Sequence, residues 1–539
     1  IMATKYAPTI NRPRNKFRMP HEVGTTMDGA LVVPLDWQEI LPGDHLAKKM
    51  SYIVRMLTPI NPVMDNAYLN VSAYFVPYEI IWNQFKQFMG QNETSAWTDS
   101  NTYLVPAITS TTSAGNFPVG SIGDYLGLPT SQPIPAGTRI SLLPLRGYLS
   151  IWNFWYRNQN VVDPILYTKE SADWNASSYG KSYADTPLPS MKLPDYFTTC
   201  LPEPSKVQAV VSSNNPVVTG DIHLPDTGVN EPLAYKPVSS AGAVIGSQSR
   251  VAVNTSSNNA LYGSSTASTY LAPANLWAES TISIENIRRA AVYQHIGEIL
   301  ARGGSRYASE FLVNIFGVKN TESMFDEPEF LGSVDKLINM TEVTSNADTA
   351  SDSGGRVLGS NGAFSKTTGS DYLFEHTFTR HGMVFVLATI RHRETYFQGL
   401  EKKWTRSGFF DFYLPQAQGL GFQKVLKKEI YLTGTAATDD GTFGYQDYGA
   451  EYRFQPNRLT GYLKPNVTGA LSTWTYAQIL AASPTLNPSF MYADKTGFDR
   501  TIAVSSEAQS STQFFGNFYF DDEWIRVVGV QRFPGLDVI

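Results

Sequence analysis

Between Thr58 and Gly90 the chain changes period within one short stretch. Leu69, Val71, Ala73 and Phe75 alternate with Tyr68, Asn70, Ser72 and Tyr74, the spacing of a strand with one aliphatic and one tyrosine-bearing face. Pro77 stops the alternation. Ile81, Trp82, Phe85, Phe88 and Met89 then fall at helical spacing, predicting a helix over 79–89. A strand that meets a very apolar helix at once needs cover on both faces. That requirement shapes every other reading of the chain.

The same alternation predicts strands over 23–35, 45–57 and 66–76, and later over 371–397, 425–433 and 514–533. Helical spacing predicts a short helix near 122–126 and a longer one over 145–160, where Leu145, Leu149, Trp152 and Tyr156 share a stripe. Over 283–302, Ile284, Ile287, Ala291, Ile296 and Ile299 share a side, Ser283 caps the start and Gly303-Gly304 ends it. A second helix runs from Ser305 to Gly317. Strands flanking helical and loop insertions, with no βαβ alternation, favour an antiparallel sandwich whose connections carry the extra mass.

The 539 residues contain only 17% charged side chains but 13% aromatics, with 32 prolines and 41 glycines. Such a surface is not all meant for water, and points to large contacts between subunits. A net charge of −6 argues against a generally basic nucleic-acid binder. The single cysteine, Cys200, excludes an intramolecular disulfide framework and any multi-cysteine metal site. The longest apolar run, near 383–390, is too short to span a bilayer. No signal-peptide h-region is visible, so the chain is expected to be soluble and made in a reducing compartment.

The expected organisation has four parts: a basic arm over 1–20, a core over 21–202, an inserted subdomain over 203–275, and helices with the rest of the core over 276–539. The arm carries Lys5, Arg12, Arg14, Lys16 and Arg18 without a carboxylate, and these five are the candidate phosphate contacts. A solvated tail is the competing reading. The insertion holds twelve serines but six charged residues between Ser205 and Leu271.

Chemical motifs are weak. His376 and His381, five apart on a strand, face opposite sides and cannot share a metal. "HEVGT" at His21 lacks the second histidine of a zincin. Asp521-Asp522-Glu523 and Asp439-Asp440 could each hold a hard cation, or be solvated turns. "ARGGSRY" (301–307) offers a helix start to an anion, or is a helix–helix turn. The Trp/Tyr/Arg helix at 146–157 could stack bases, although packing is favoured. Cys200 has no nearby histidine and reads as packing. No catalytic residue, cofactor or metal is expected.

Several blocks together carry a resemblance. They are "HEVGTT" (21–26), "LPGD" (41–44), "TPINPVMDNAYLNVSAYFVPYEIIW" (58–82), "LPLRGYLSIWNFWYRNQN" (143–160), "IRRAAVYQHIGEILARGGSRYASEF" (287–311), "TYFQGLEKKW" (395–404), "DFYLPQAQGLG" (411–421) and "FGYQDYGAEYR" (443–453). In this order, over nearly the whole chain, they resemble the major capsid proteins of the Microviridae, most closely the gokushovirus group of small single-stranded DNA bacteriophages. The resemblance implies a mainly β protein: a single eight-stranded antiparallel jelly-roll barrel with long helical and loop insertions. It implies a structural protein, not an enzyme, whose copies close into a T=1 icosahedral shell around circular single-stranded DNA. The insertion over 203–275 would form surface protrusions for host attachment. Implied partners are other copies of the chain, the DNA genome, a small basic DNA-binding virion protein, a pilot protein and a host-cell surface receptor. The implied location is the virion, assembled in the host bacterial cytoplasm. The alternative from another class is a glycan-binding or glycan-cleaving β-sandwich, with tyrosines and tryptophans lining a sugar groove beside paired carboxylates.

Overall fold

Eight long strands build the two main sheets: β1 (Asn15–Met27), β2 (Val33–Ile40), β3 (His45–Met56), β4 (Ala67–Pro77), β5 (Glu329–Leu337), β6 (Thr367–Thr377), β7 (Gly382–His392) and β8 (Phe514–Arg526). The structure is a computed structural model. It describes residues 12–92, 103–109, 117–174 apart from 131, 133 and 136, 180–206, 284–318, 326–346, 358–503 and 512–529, with the backbone of eight two-residue strand segments between 222 and 278. The chain divides into two compact units, one of Ile1–Pro204 with Ile299–Ile539, the other Ser205–Glu298.

In the first unit the long strands form two four-stranded antiparallel sheets, ordered β1-β8-β3-β6 and β5-β4-β7-β2, and neither is closed. The protein is thus mainly β and antiparallel. The inner faces supply a common core. Leu46, Met50 and Val54 of β3 and Phe518, Phe520 and Trp524 of β8 pack with Leu69, Val71 and Phe75 of β4 and Val384, Val386 and Ile390 of β7. At one edge β5 and β6 each carry a register shift, between Phe330 and Gly332 and between Tyr372 and Phe374. A Cβ on Gly332 would run into the Leu373 carbonyl oxygen, so the edges of the two sheets come close there and only glycine fits.

β4 and β7 are buried on both faces, which is why 383–390 reads as a continuous apolar run. Their outer face belongs to a second core, with Tyr74, Val76, Phe385 and Leu387 under α1 (Leu143–Ile151). All nine residues of α1 are buried, including Arg146, whose guanidinium donates to the Ile81 and Glu170 carbonyls at 3.2 and 2.9 Å. A Cβ on Gly147 would lie 2.6 Å from Phe385 Cε2, so the helix rests on the sheet where it has no side chain. A π turn (Trp152–Tyr156) continues it, and the Tyr74 hydroxyl donates to that of Tyr156 at 3.3 Å. The tyrosine face of β4 is therefore covered by this chain's own insertion.

Several expectations change. The helix over 79–89 is two four-residue turns, Tyr78–Ile81 and Phe85–Phe88, because Trp82 between them is extended. Its indole Nε1–H donates to Ser171 Oγ at 2.8 Å, and the buried anchor outweighs helix continuation. The strand over 23–35 is two strands broken where Ala30 adopts φ +68. The turn-rich stretch over 344–370 includes part of a hairpin, Met340–Thr344 with Asn361–Ser365. The basic arm loses its last six residues to β1, an edge strand where Pro20 costs no ladder bond.

α2 (Ile284–Gly303) spans its expected range, but Ala291 and Ile296 of its apolar side are exposed. Most of the insertion over 203–275 lies outside the described residues; the strand segments there form four antiparallel pairs. Among the described residues no helix is long and apolar enough to cross a membrane.

Candidate assembly surface

Strand alternation sorts the acidic run 521–523, which lies inside β8 rather than in a turn. Asp522 points between the sheets with no exposure, while Asp521 and Glu523 point out. Asp522 meets Lys48, the one charge among inward-facing residues of β3. Lys48 Nζ donates to Asp522 Oδ2 at 2.7 Å and to Asp36 Oδ2 at 2.8 Å. Gln38 Nε2–H donates to Asp522 at 2.7 Å, and His21 Nε2 lies 3.3 Å from Asp36 Oδ2. His21, Asp36 and Asp522 have a metal site's donor types, but the Lys48 ammonium bonds both carboxylates and supplies the positive charge itself. Burial alone would push the Asp36 carboxyl up. The Lys48 charge and the bonds from His21 and Lys48 outweigh it and hold it at about 2. The bond to Asp36 raises His21 above the usual imidazole value, against its desolvation.

The outward pair of acids takes two of the candidate phosphate contacts. Lys16 Nζ lies 2.7 Å from Glu523, and Arg18 pairs with Asp521 through two bonds of 2.6 and 2.8 Å. Arg12 and Arg14 are exposed and have no ion-pair partner among the described residues; Lys5 lies outside them. The remaining weak motifs are structural. Glu310 accepts from Arg306 N–H at 3.0 Å, so the turn after Gly303-Gly304 already holds a carboxylate. Asp439 accepts from Thr433 and Gly434 N–H within its own turn. Cys200 is buried, its thiol pushed up by desolvation and bonded to the Tyr196 carbonyl at 3.4 Å.

A different group of residues stands open to solvent. Over 404–420, Trp404, Phe409, Phe410, Phe412 and Leu420 are 72, 70, 80, 54 and 76% exposed. Two of them sit on a hydrogen-bonded turn. The Asp411 carboxylate accepts from Gly408 N–H at 2.7 Å and Ser407 N–H at 2.8 Å, closing the turn that carries Phe409 and Phe410. Those bonds hold Asp411 below the usual carboxylate range. Tyr413 stacks on Tyr448 at 5.4 Å and packs over Gly449, whose φ of +78 and lack of Cβ admit the ring. Each such ring hides about 150–250 Å² when covered. Exposed aromatics in one stretch make an apolar patch of the kind that protein contacts bury. Sequence reading assigned no role here, because turn-borne rings have neither a helical nor a strand period.

Comparison with known proteins agrees over the whole chain. A family model described as capsid protein (F protein) matches residues 6–536. Capsid protein VP1 of Bdellovibrio phage phiMH2K is 32% identical over 534 residues, covering 96% of this chain and 95% of that protein. Capsid protein VP1 of Chlamydia phage 1 is 31% identical over 598 residues, covering 99% and 98%. Capsid protein VP1 of Spiroplasma virus 4 is 30% identical over 542 residues, covering 97% and 95%.

Proposed function

We propose, from the premise that the chain belongs to the capsid protein (F protein) family of Microviridae phages, that its copies close into a T=1 icosahedral shell around circular single-stranded DNA. As a major capsid protein it is a structural component of the virion. The observation that carries the closed shell is the aromatic surface at 404–420, left exposed on a single chain.

The finer readings belong to the same proposal. The two four-stranded sheets are the halves of an eight-stranded jelly-roll barrel. Their strand orders and the paired bulges in β5 and β6, where the sheet edges approach, support this. The insertion over 203–275 is the surface protrusion for host attachment; the compact unit Ser205–Glu298 supports it as a separate body. Arg12 and Arg14, with Lys5, contact the genome, beside a small basic DNA-binding protein and a pilot protein. Assembly takes place in the host cytoplasm, and the chain performs no catalysis.

Sucrose-gradient sedimentation tests the reading. Particles of one size in the megadalton range, with nuclease-protected single-stranded DNA, are expected. A small oligomer without protected nucleic acid would overturn it.

A further inference from the structure

On a chain of net charge −6, one cleft of the first unit holds more bases than acids. It encloses about 280 Å³ beside Trp404, and its walls carry Lys402, Lys403, Arg406, Arg458 and Lys464 against Glu401, Glu429 and Glu451. Two of those carboxylates each serve two cations. Glu401 takes Lys403 and Arg458, the latter at 2.9 Å, and Glu451 takes Lys402 at 3.3 Å and Arg406 at 3.6 Å. Burial pushes the third carboxyl, Glu429, above its usual range and so toward its neutral form. Lys464 forms no ion pair among the described residues. The Arg406 guanidinium lies 4.7 Å from the Tyr452 ring centroid and 5.6 Å from that of Phe412, and its buried Nε–H has no acceptor among the described residues. The cleft therefore offers surplus positive charge and an open donor next to the exposed rings of Trp404 and Phe412.

The acidic runs of the chain differ in what they have left to offer. Asp521, Asp522 and Glu523 are taken by Arg18, Lys48 and Lys16, Asp439 by its own turn and Asp440 by Lys428. The run Asp326-Glu327-Pro328-Glu329 is different. Asp326 and Glu327 form no ion pair among the described residues, and Glu329 faces only His376, at 3.8 Å. Asp326 is exposed. Glu327 accepts from Ser309 Oγ at 2.8 Å, which sets the run beside the π turn Tyr307–Phe311 and the short helix Leu312–Phe316. Tyr307 and Phe316 are exposed there, and Phe311 joins them, stacking on Tyr307 at 5.7 Å and packing on Phe316 at 6.0 Å. Acids and rings share this surface, as bases and rings share the cleft.

We propose that the acidic run 326–329 of one copy docks in the basic cleft of the next, with Tyr307 and Phe316 covering Trp404 and the rings beside it. Burial of the rings supplies the attraction, and opposite charge fixes the register. Two clefts set face to face would instead oppose surplus positive charge, so the cleft does not pair with itself. A patch that meets a different patch makes a heterologous contact, which closes into a ring when its rotation is a whole fraction of a turn. The inference rests on the reading that copies of the chain form a closed shell, and it names two faces that meet.

Two measurements test it. Carbodiimide coupling of purified particles joins a lysine amine to a carboxyl in direct contact, with loss of water. Peptides from the monomer and dimer bands of a denaturing gel are then compared by mass spectrometry. Links from Lys402, Lys403 or Lys464 to Asp326, Glu327 or Glu329 are expected in the dimer band alone. Links between copies only elsewhere overturn the contact while leaving the shell intact; a chain that forms no particles overturns the shell and the contact with it. Charge reversal is the second measurement. Asp326→Lys with Glu327→Lys should cut particle yield about tenfold or more, as should Lys403→Glu with Lys464→Glu, and the four changes together should restore it. Circular dichroism of each purified chain checks that it folds. Folded one-sided variants that assemble like the parent, or a combined variant no better than either, would refute the proposal.

Discussion

Lys48 Nζ lies 2.7 Å from Asp522 Oδ2, with both side chains wholly buried between the two sheets. The ion pair ties β3 to β8, and the bond from Lys48 to Asp36 ties both to β2 in the opposite sheet.

Lys48→Met should therefore be severe. It leaves Asp36 and Asp522 facing each other with only His21 to supply positive charge, a cost of about 3–5 kcal/mol. Thermal unfolding of the full chain should show a large drop, and Lys48→Met with Asp522→Leu should recover much of it. A single variant as stable as the parent would show that the pair contributes nothing.

The cluster also predicts opposite responses to acid and base. Without His21 its formal charge is one positive against two negative, and protonated His21 balances it. Because folding raises the His21 pKa, its contribution is complete below the unfolded value of about 6.5 and is lost as pH rises through the folded value. Asp36 is depressed to about 2, so its contribution is present above about 3.8 and lost as pH falls toward 2. That span corresponds to about 2 kcal/mol. Melting temperature measured from pH 5 to 9 should fall on the alkaline side, and His21→Gln should flatten that fall.

The assembly surface can be separated from folding. Phe409→Ser with Phe410→Ser alters two rings already facing water, so chain stability should shift by no more than about 0.5 kcal/mol per site. Particle yield in a gradient should nevertheless collapse. Normal particles from this variant would assign the shell contacts to another face.

The candidate phosphate contacts divide into two groups. Arg12→Gln with Arg14→Gln should lower DNA per particle, whereas Lys16→Gln with Arg18→Gln should leave it near normal, because those charges are engaged by Glu523 and Asp521. Equal losses from both pairs, read as absorbance ratio at 260 and 280 nm, would contradict the division.

Gly147→Val should disrupt the second core. Its side chain would meet Phe385 where α1 rests on β7, costing about 1–3 kcal/mol by overpacking. Proteolysis of the folded chain within 143–156 should accelerate.

β3 and β4 were legible because their sequences alternate without a break, even though β4 is buried on both faces. Within β3 the same period places Lys48 among Leu46, Met50 and Val54, an inward charge that the sequence reading passed over. The period could not name its partner, since Asp522 is 474 residues away. The reverse failure befell 521–523: three acids in a row look solvated until period two is applied. β1 was hidden over 15–20 because an edge strand with exposed faces and a proline has no apolar period. The open rings at 404–420 and the turn that carries them were invisible for a related reason. Turns and distant segments build them, and no local pattern records which residues meet.

The order β1-β8-β3-β6 has a consequence for biosynthesis. β8 fills the gap between β1 and β3, so both strands present an open hydrogen-bonding edge until it has been made. At ribosomal rates of about 5–20 residues per second, the interval separating Lys48 from Asp522 is on the order of half a minute to a minute and a half. Until then β1 and β3 lack the strand that joins them, and Lys48 has Asp36 but not Asp522 as its counter-charge. The strand order thus makes synthesis of the last strand the step that removes the open edges of β1 and β3.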